Sequence, residues 1–345
     1  MHYIGMDVHI ATIDFATVDE KGKVKHVETI KTSAKGIIEY IKKVPGPKVV
    51  VVEEGTLSSW VKETVEGIGE KLVISDPRRN KWIGGSGHKS DRIDAKKLAL
   101  LMRGGYIKEI YHPGGEHRRF KELVLHHHDL VKAQTRVKNK LKAKFRQNGI
   151  SCRGQTVYQE ENNERWLGKL PQCKKLEWQV KCLWEQLKLL EGQIQTTKQK
   201  LAFASKKYPE VGRFQKVKGI GLINAVTICA IISTPHRFAD KKKLWGYAGL
   251  GIVKRQSSDK VYSERLTQDY NRLLKNVFKS AAQSAIRSKD NQFRAQYLKL
   301  TMRKGVLPYK AQLTVARTIC STIYGMWIRG ADYVDQREKK KELAA

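Results

Sequence analysis

Residues 48–55 read KVVVVEEG. Four consecutive valines, with Pro-Gly-Pro at 45–47 before them and two acids and a glycine after, describe a strand buried on both faces, because a strand with one wet face would alternate polar and apolar residues. Such a strand belongs in the middle of a sheet. Its partners precede it. Residues 2–8 alternate, with His2, Ile4, Met6 and Val8 on one face and Tyr3, Gly5 and Asp7 on the other. ATIDFATV is a second alternating run that ends in the turn DEKG, and KVKHVETI is a third, so the chain opens as an antiparallel meander. SAKGIIEYIKKV then has helical spacing with Ser33 as its N-cap, LSSWVKETVEGI reads as a second helix, and KLVISD as a further strand before Pro77. Three strands followed by alternating helix and strand predict a mixed α/β sheet.

The character changes near residue 116. HRRFKELVLHHHDLVKAQTRVKNKLKAKFRQ places Leu130, Val137, Leu141 and Phe145 on one stripe and fills the rest with Lys and Arg, an amphipathic helix with a cationic back. His126, His127 and His128 project in different directions on such a helix and read as solvated. Beyond a polar interval, Leu176, Val180, Leu183, Leu187, Leu190, Ile194 and Leu201 follow a four-three heptad broken at Thr197. That pattern fits an oligomerising coiled coil and a helical hairpin within one chain equally. From about 212 a Gly219-Ile220-Gly221 turn separates apolar helical segments, LWGYAGLGIVKRQSSDK is loop-rich, and 268–290 and 308–330 are helical again. The expected domains are 1–112, 113–210 and 211–335, with a charged tail at 336–345.

The chain holds 67 Lys and Arg against 34 Asp and Glu, a formal charge of +33. The expected partner is a polyanion. A membrane surface would call for a long apolar run or a clean amphipathic segment, and the apolar stretches here are short, so DNA or RNA is favoured and a membrane is not. The start, MHYIGMDVH, enters a strand directly with no secretory pattern, giving a cytoplasmic expectation. Five cysteines without a C-x-x-C pair argue against a disulfide framework or a zinc site.

The acids carry the chemistry. Residues 84–98, GGSGHKSDRIDAKKL, are not a phosphate-binding loop, because His88 stands before Lys89 and Ile83 where a glycine is required. Asp91 and Asp94 instead open a helix, and their i, i+3 spacing sets them on one face. Asp7 lies at the end of the first strand, and Glu53 and Glu54 close the valine strand. Brought together, these carboxylates would repel one another unless a hard cation, Mg²⁺ or Mn²⁺, sat among them. Acids are also favoured in any first helical turn by the helix dipole, so the pair alone has a plainer reading. Lys89, Arg92, Lys96 and Lys97 surround the pair as candidate phosphate contacts. Lys218 with the backbone of Gly219 and Gly221 forms another, although a simple helix connection explains that turn as well. Ser257 and Ser258 lie in a basic loop with Lys254 and Arg255, where a serine hydroxyl is a candidate nucleophile toward phosphate.

With these residues in view, the chain resembles the DEDD insertion-sequence transposases of the IS110 family, which are related to the pilin gene invertase and known as bridge-RNA-guided recombinases. IGMDVH looks like the family's first aspartate motif, VVVVEEGTLSSW like its glutamate strand, and DPRRNK…HKSDRIDAKKLA like its third motif. VKGIGLINAVTICAII, LWGYAGLGIVKRQSSDK and DYNRLLKNVFKSAA are similar to its transposase domain. The resemblance implies a RuvC-like, ribonuclease H-like N-terminal domain, a coiled-coil middle and a mainly α-helical C-terminal domain. It carries Asp7, Glu54, Asp91 and Asp94 over as a Mg²⁺ tetrad, with Mn²⁺ as a substitute; Glu54 is preferred to Glu53 because Thr56 follows one residue on. It implies a serine nucleophile, matched by Ser258, with Ser257 as the alternative because Asp259 stands where relatives have glycine. It also implies a homodimer or homotetramer, a composite site shared between protomers, and a structured bridge RNA, whose backbone the basic face at 118–146, including Arg136, Lys140 and Lys144, would hold. The expected activity is DNA strand cleavage and exchange. The competing expectation is a metal-dependent Holliday-junction nuclease without serine chemistry.

Overall fold

The computed structural model describes residues 1–78, 91–257 and 260–335. The chain divides into two compact units, Met1–Arg118 and Arg119–Ala345.

The first unit is built on a five-stranded sheet in the order β3-β2-β1-β4-β5. Strands β1 (His2–Val8), β2 (Thr12–Asp19) and β3 (Val24–Lys31) form the antiparallel meander. Strand β4 (Lys48–Glu53) lies parallel to β1 and to β5 (Leu72–Ser75), which puts the valine run in the interior of the sheet with a strand on either side, as its composition requires. Helices α1 (Ala34–Lys43) and α2 (Ser58–Glu66) cover one face, where Ile37, Tyr40, Ile41, Val61 and Val65 pack on Ile4, Met6, Val50 and Val52. Ser33 caps α1 by accepting from Gly36 N. On the other face α3 (Asp91–Arg103) packs Leu98 on Val51. Gly5 is what lets α3 come so close to β1: a Cβ there would overlap the backbone of Ala95 and Ala99. Beyond α3, residues 108–110 join the sheet edge, with Ile110 N donating to Ile74 O at 2.8 Å and Asp76 N to Lys108 O at 3.1 Å.

In the second unit, α4 (Gly115–Gln147), apart from its first turn, and α6 (Lys174–Ala204) form a hairpin, with the short α5 (Asn163–Leu167) in the connection. Val137, Leu141 and Phe145 meet Val180, Leu183, Trp184 and Leu187, while Val157 and Trp166 fill the space between. Trp184 Nε1 donates to Val157 O at 2.8 Å. Of the two uses the heptad allowed, this stretch therefore serves packing within the chain. Thr197, the break in that heptad, is buried, and its hydroxyl is satisfied by donating to Gln193 O at 2.7 Å.

The remaining elements are α7 (Pro209–Gln215), α8 (Leu222–Ile232), α9 (Lys241–Tyr247), β6 (Ile252–Ser257), β7 (Lys260–Leu266), α10 (Arg272–Arg287), α11 (Gln292–Leu298) and α12 (Pro308–Arg329). Helix α8 is buried from Ala225 through Ile232 and is the axis of a core that includes Phe214, Phe278, Phe293, Ile319 and Ile323. Phe120 and Val124 of α4 and Leu201 of α6 belong to the same core, so the division expected near residue 211 falls inside one unit. Two expectations need correcting. The stretch after residue 250 is a β-hairpin, β6 and β7 being antiparallel, rather than loop. The histidine run is solvated only at His126: His127 is buried, and His128 shares a hydrogen bond with Thr227 Oγ1 at 2.8 Å. The tail at 336–345 lies outside the described residues.

Candidate metal centre

Asp7 is carried on the face of β1 that meets α3, the same face as Gly5. The turn after β1 is tied at both ends of His9: its N–H donates to Thr12 O at 2.9 Å, and its carbonyl accepts from Thr32 Oγ1 at 2.7 Å. The ring comes back over the strand end. His9 Nε2 lies 3.4 Å from Asp7 Oδ2 and 3.6 Å from Asp91 Oδ2, the latter on the first turn of α3. Ligand atoms of Asp7, His9 and Asp91 all fall within 4.8 Å of one another.

Asp94, one turn along α3, completes the electrostatics. Its Oδ1 is sealed from solvent and accepts no hydrogen bond among the described residues. Lys97 Nζ, at 3.6 Å, is an ion-pair neighbour beyond hydrogen-bond reach. Burial raises the Asp7 carboxyl above the ordinary carboxylate range; His9 opposes this, while Asp91 and Asp94 add to it. A sealed carboxylate oxygen without a donor, beside two further acids, is a site short of positive charge. A divalent cation with oxygen ligands fits that deficit, and Asp7, Asp91 and Asp94 are the residues that would hold it.

Glu54 stands apart from this group. It follows the last residue of β4 in a turn that buried Ser58 organises, accepting from Gly55 N at 2.7 Å and donating to Glu53 O at 3.2 Å. The Glu54 carboxylate is held by His112 Nε2, and its N–H donates to Ser75 O at 3.0 Å. Of the four acids expected to share a site, the structure brings Asp7 and Asp91 together, with Asp94 near enough to raise the Asp7 carboxyl, and leaves Glu54 on a neighbouring turn. The last β1–β4 pair is Met6 with Val52, so one further step of that register sets residue 53 beside Asp7.

The expected basic contacts divide. Arg92 Nε donates to Thr29 Oγ1 at 2.9 Å and lies 3.7 Å from Asp14 Oδ1, so it serves as counter-charge to a buried acid that pairs across the strands with Asp7. Lys96 is exposed and Lys97 faces Asp94. Arg136 and Lys140 are exposed on α4, whereas Lys144 Nζ donates to Gln179 Oε1 on α6 at 2.6 Å. Lys218 and Gly221 are exposed at the start of α8. Gly219 has a packing reason of its own: φ is +93°, and a Cβ would overlap the backbone of Ala281 and Ala285. Lys89 and Ser258 lie outside the described residues, as do the side chains of Lys254, Arg255 and Ser257.

Sequence reasoning missed His9, Asp14 and His112. Only His9 carried a signal, a metal-capable ring two residues past the strand-end acid in IGMDVH. Asp14 sits unannounced within an alternating strand, and His112 comes from 58 residues away to meet Glu54.

Two family models match the chain. A model for IS110-type DEDD transposases covers residues 4–148, and one described as "Transposase IS116/IS110/IS902 family" covers 211–298. The chain is similar to the transposase for insertion sequence element IS1111A of Coxiella burnetii, with 23% identity over 296 residues, 84% of this chain and 79% of that protein. Among solved structures it is similar to T. thermophilus RuvC in complex with Holliday junction substrate, at 17% identity and a TM-score of 0.26, over 32% of this chain and 99% of that one. A second Thermus thermophilus RuvC structure matches at 18% identity and the same TM-score, over 32% of this chain and all of that one.

Proposed function

The chain belongs to the IS116/IS110/IS902 family of insertion-sequence transposases, DNA-cleaving and recombining enzymes, and from that premise we propose how its residues divide the work. The carrying observation is the gathering of Asp7 and Asp91 where β1 meets α3, with Asp94, whose Oδ1 accepts no hydrogen bond among the described residues, close enough to act on the charge of Asp7. The sheet order, with an antiparallel meander on one side of β1 and parallel strands on the other, supports a ribonuclease H-like unit carrying this centre.

In this reading Asp7, Asp91 and Asp94, with Glu54 as the fourth acid, hold Mg²⁺, for which Mn²⁺ substitutes. The bound cation supplies Lewis-acid polarisation of a DNA phosphate. The chain's own residues do the rest. His112 holds the Glu54 carboxylate near the strand end, and Gly5 fixes α3 and its acids against β1. The hydroxyl of Ser258, or of Ser257, attacks the phosphorus of a backbone diester. A phosphoserine ester forms, the bond to one deoxyribose oxygen breaks, and that oxygen leaves with a proton as a hydroxyl. Because one ester replaces another, the link stays energetic enough to rejoin a new strand, which hydrolysis would not allow.

We place the enzyme in the cytoplasm as a homo-oligomer, with a bridge RNA supplying sequence choice while exposed cations such as Arg136 and Lys140 hold phosphate backbone. Among the described residues no helix is long and apolar enough to cross a membrane. The test is recombination on supercoiled DNA carrying the element ends, with the element's flanking RNA supplied. Asp91→Asn and Ser258→Ala each abolish strand exchange, and Ser258→Ala also abolishes the covalent protein–DNA adduct. Full exchange by Ser258→Ala and by Ser257→Ala, with loss only in Asp91→Asn, removes the serine chemistry from the reading.

A further inference from the structure

The four acids of the family pattern are all oxygen donors, yet the ring that comes closest to two of them is an imidazole. His9 Nε2 stands 3.4 Å from Asp7 Oδ2 and 3.6 Å from Asp91 Oδ2. Adjacent donors on an octahedral ion with bonds of 2.0–2.1 Å are about 3 Å apart. The two sides that meet at His9 are thus about half an ångström longer than the edge between neighbouring ligands of one ion, and all three ligand atoms lie within 4.8 Å of one another, close enough for a small side-chain adjustment to bring them onto one cation. Both backbone polar groups of His9 are already engaged, with Thr12 and Thr32, so the ring projects from a fixed point.

We infer that His9 is a nitrogen ligand of the metal centre and makes it a mixed imidazole–carboxylate site that favours Mn²⁺ over Mg²⁺. Imidazole suits the borderline first-row ions, whereas Mg²⁺ keeps to oxygen and water. His9 competes with one other role. The alternative is that the ring is only a polar neighbour lying against Asp7 and Asp91, and in that role it would be displaced by an incoming cation. The two roles give opposite signs. Removing a ligand weakens binding of the ion it prefers, and removing a competing neighbour strengthens binding of every divalent ion.

This inference rests on the carboxylate centre proposed above, and the experiment separates the two. The full chain without nucleic acid is titrated with MnCl₂, following free Mn²⁺ by electron paramagnetic resonance, and with MgCl₂ by calorimetry. Electron spin-echo modulation then looks for nitrogen coupled to the bound Mn²⁺. His9→Ala lowers Mn²⁺ affinity about tenfold, on the scale of losing a group that supports a metal site, and leaves Mg²⁺ affinity nearly unchanged. The nitrogen modulation, present in the parent chain, disappears in His9→Ala. Unchanged or tighter Mn²⁺ binding by His9→Ala, an equal loss for both ions, or no nitrogen coupling in the parent chain overturns the inference. Asp91→Asn is the control for the centre itself: it weakens both ions, and if it weakens neither, the carboxylate assignment falls whatever His9 does.

Discussion

Asp7 shows what a single residue contributes here. Its carboxylate is largely buried, with Asp91 and Asp94 close enough to disfavour its charge, so without a cation it works against the folded state. Asp7→Asn removes that charge at nearly constant shape. It should raise the melting temperature of the metal-free chain by a few degrees, a gain of roughly 1 kcal/mol, while abolishing Mn²⁺ binding and strand exchange; scanning calorimetry with and without MnCl₂ checks both halves. His128 makes a prediction in pH. The Thr227 hydroxyl is committed to Ile223 O at 2.6 Å, so the Nε2–H of a neutral His128 is the donor between them. Burial, with His127 and Lys132 beside it, lowers the His128 pKa from 6.5 to about 4. The folded chain thus binds this proton less readily than the unfolded chain. Stability contributed by the neutral ring is complete above pH 6.5 and is lost as pH falls toward about 4. His128→Gln should flatten the melting temperature across that window relative to the parent chain, and parallel curves would remove His128 as the cause.

Elements were legible where one pattern permits one structure. The valine run admits nothing but a central strand, and the alternation in residues 2–8 fixes which face of β1 carries Asp7. The heptad of α6 was less decisive, since a four-three stripe buries itself as well on a neighbouring helix as on another copy. Its covering residues, Val137, Leu141 and Phe145, lie about forty positions away, where their own stripe looks equally generic. The β6–β7 hairpin was hidden because the sequence QSSDK between the two runs carries none of the Asn-Gly chemistry that announces such connections. The histidines misled because adjacent positions on a helix do point apart, but one of those directions faces the interior. Leu187→Ala tests the hairpin: with Leu187 buried against α4, the truncation should cost about 2–5 kcal/mol, read from urea unfolding. A loss under 1 kcal/mol would mean the stripe is not packed within the chain.

At the scale of the molecule, an excess of 33 positive charges needs a polyanion to account for it. Family membership says DNA is cut and rejoined; the charge says how strongly salt should govern the encounter. Arg136 and Lys140 are exposed on one helix, within a turn of each other. If both touch phosphate, Arg136→Ala with Lys140→Ala should reduce the slope of log affinity against log salt by about 2, measured by fluorescence anisotropy on duplex DNA and on the flanking RNA. An unchanged slope on both would move the nucleic-acid path off this face. The same two residues stay clear of the α4–α6 core, so melting should be unaffected.

Each unit contains one close backbone crossing made by the same device. Gly5 lies on the backbone of Ala95 and Ala99, and Gly219 on that of Ala281 and Ala285, each pair of alanines one helical turn apart. No side chain intervenes at either crossing. A spacing set by rotamers drifts as a core is repacked, whereas one set by main chain against main chain has only covalent geometry to obey. The separation of Asp7 from the acids of α3 is therefore gauged by the polypeptide itself. Substitutions elsewhere in the sheet will cost the unit its cohesion before they alter that gauge, and Gly5→Ala, which lengthens it directly, should weaken Mn²⁺ binding even where the chain still folds.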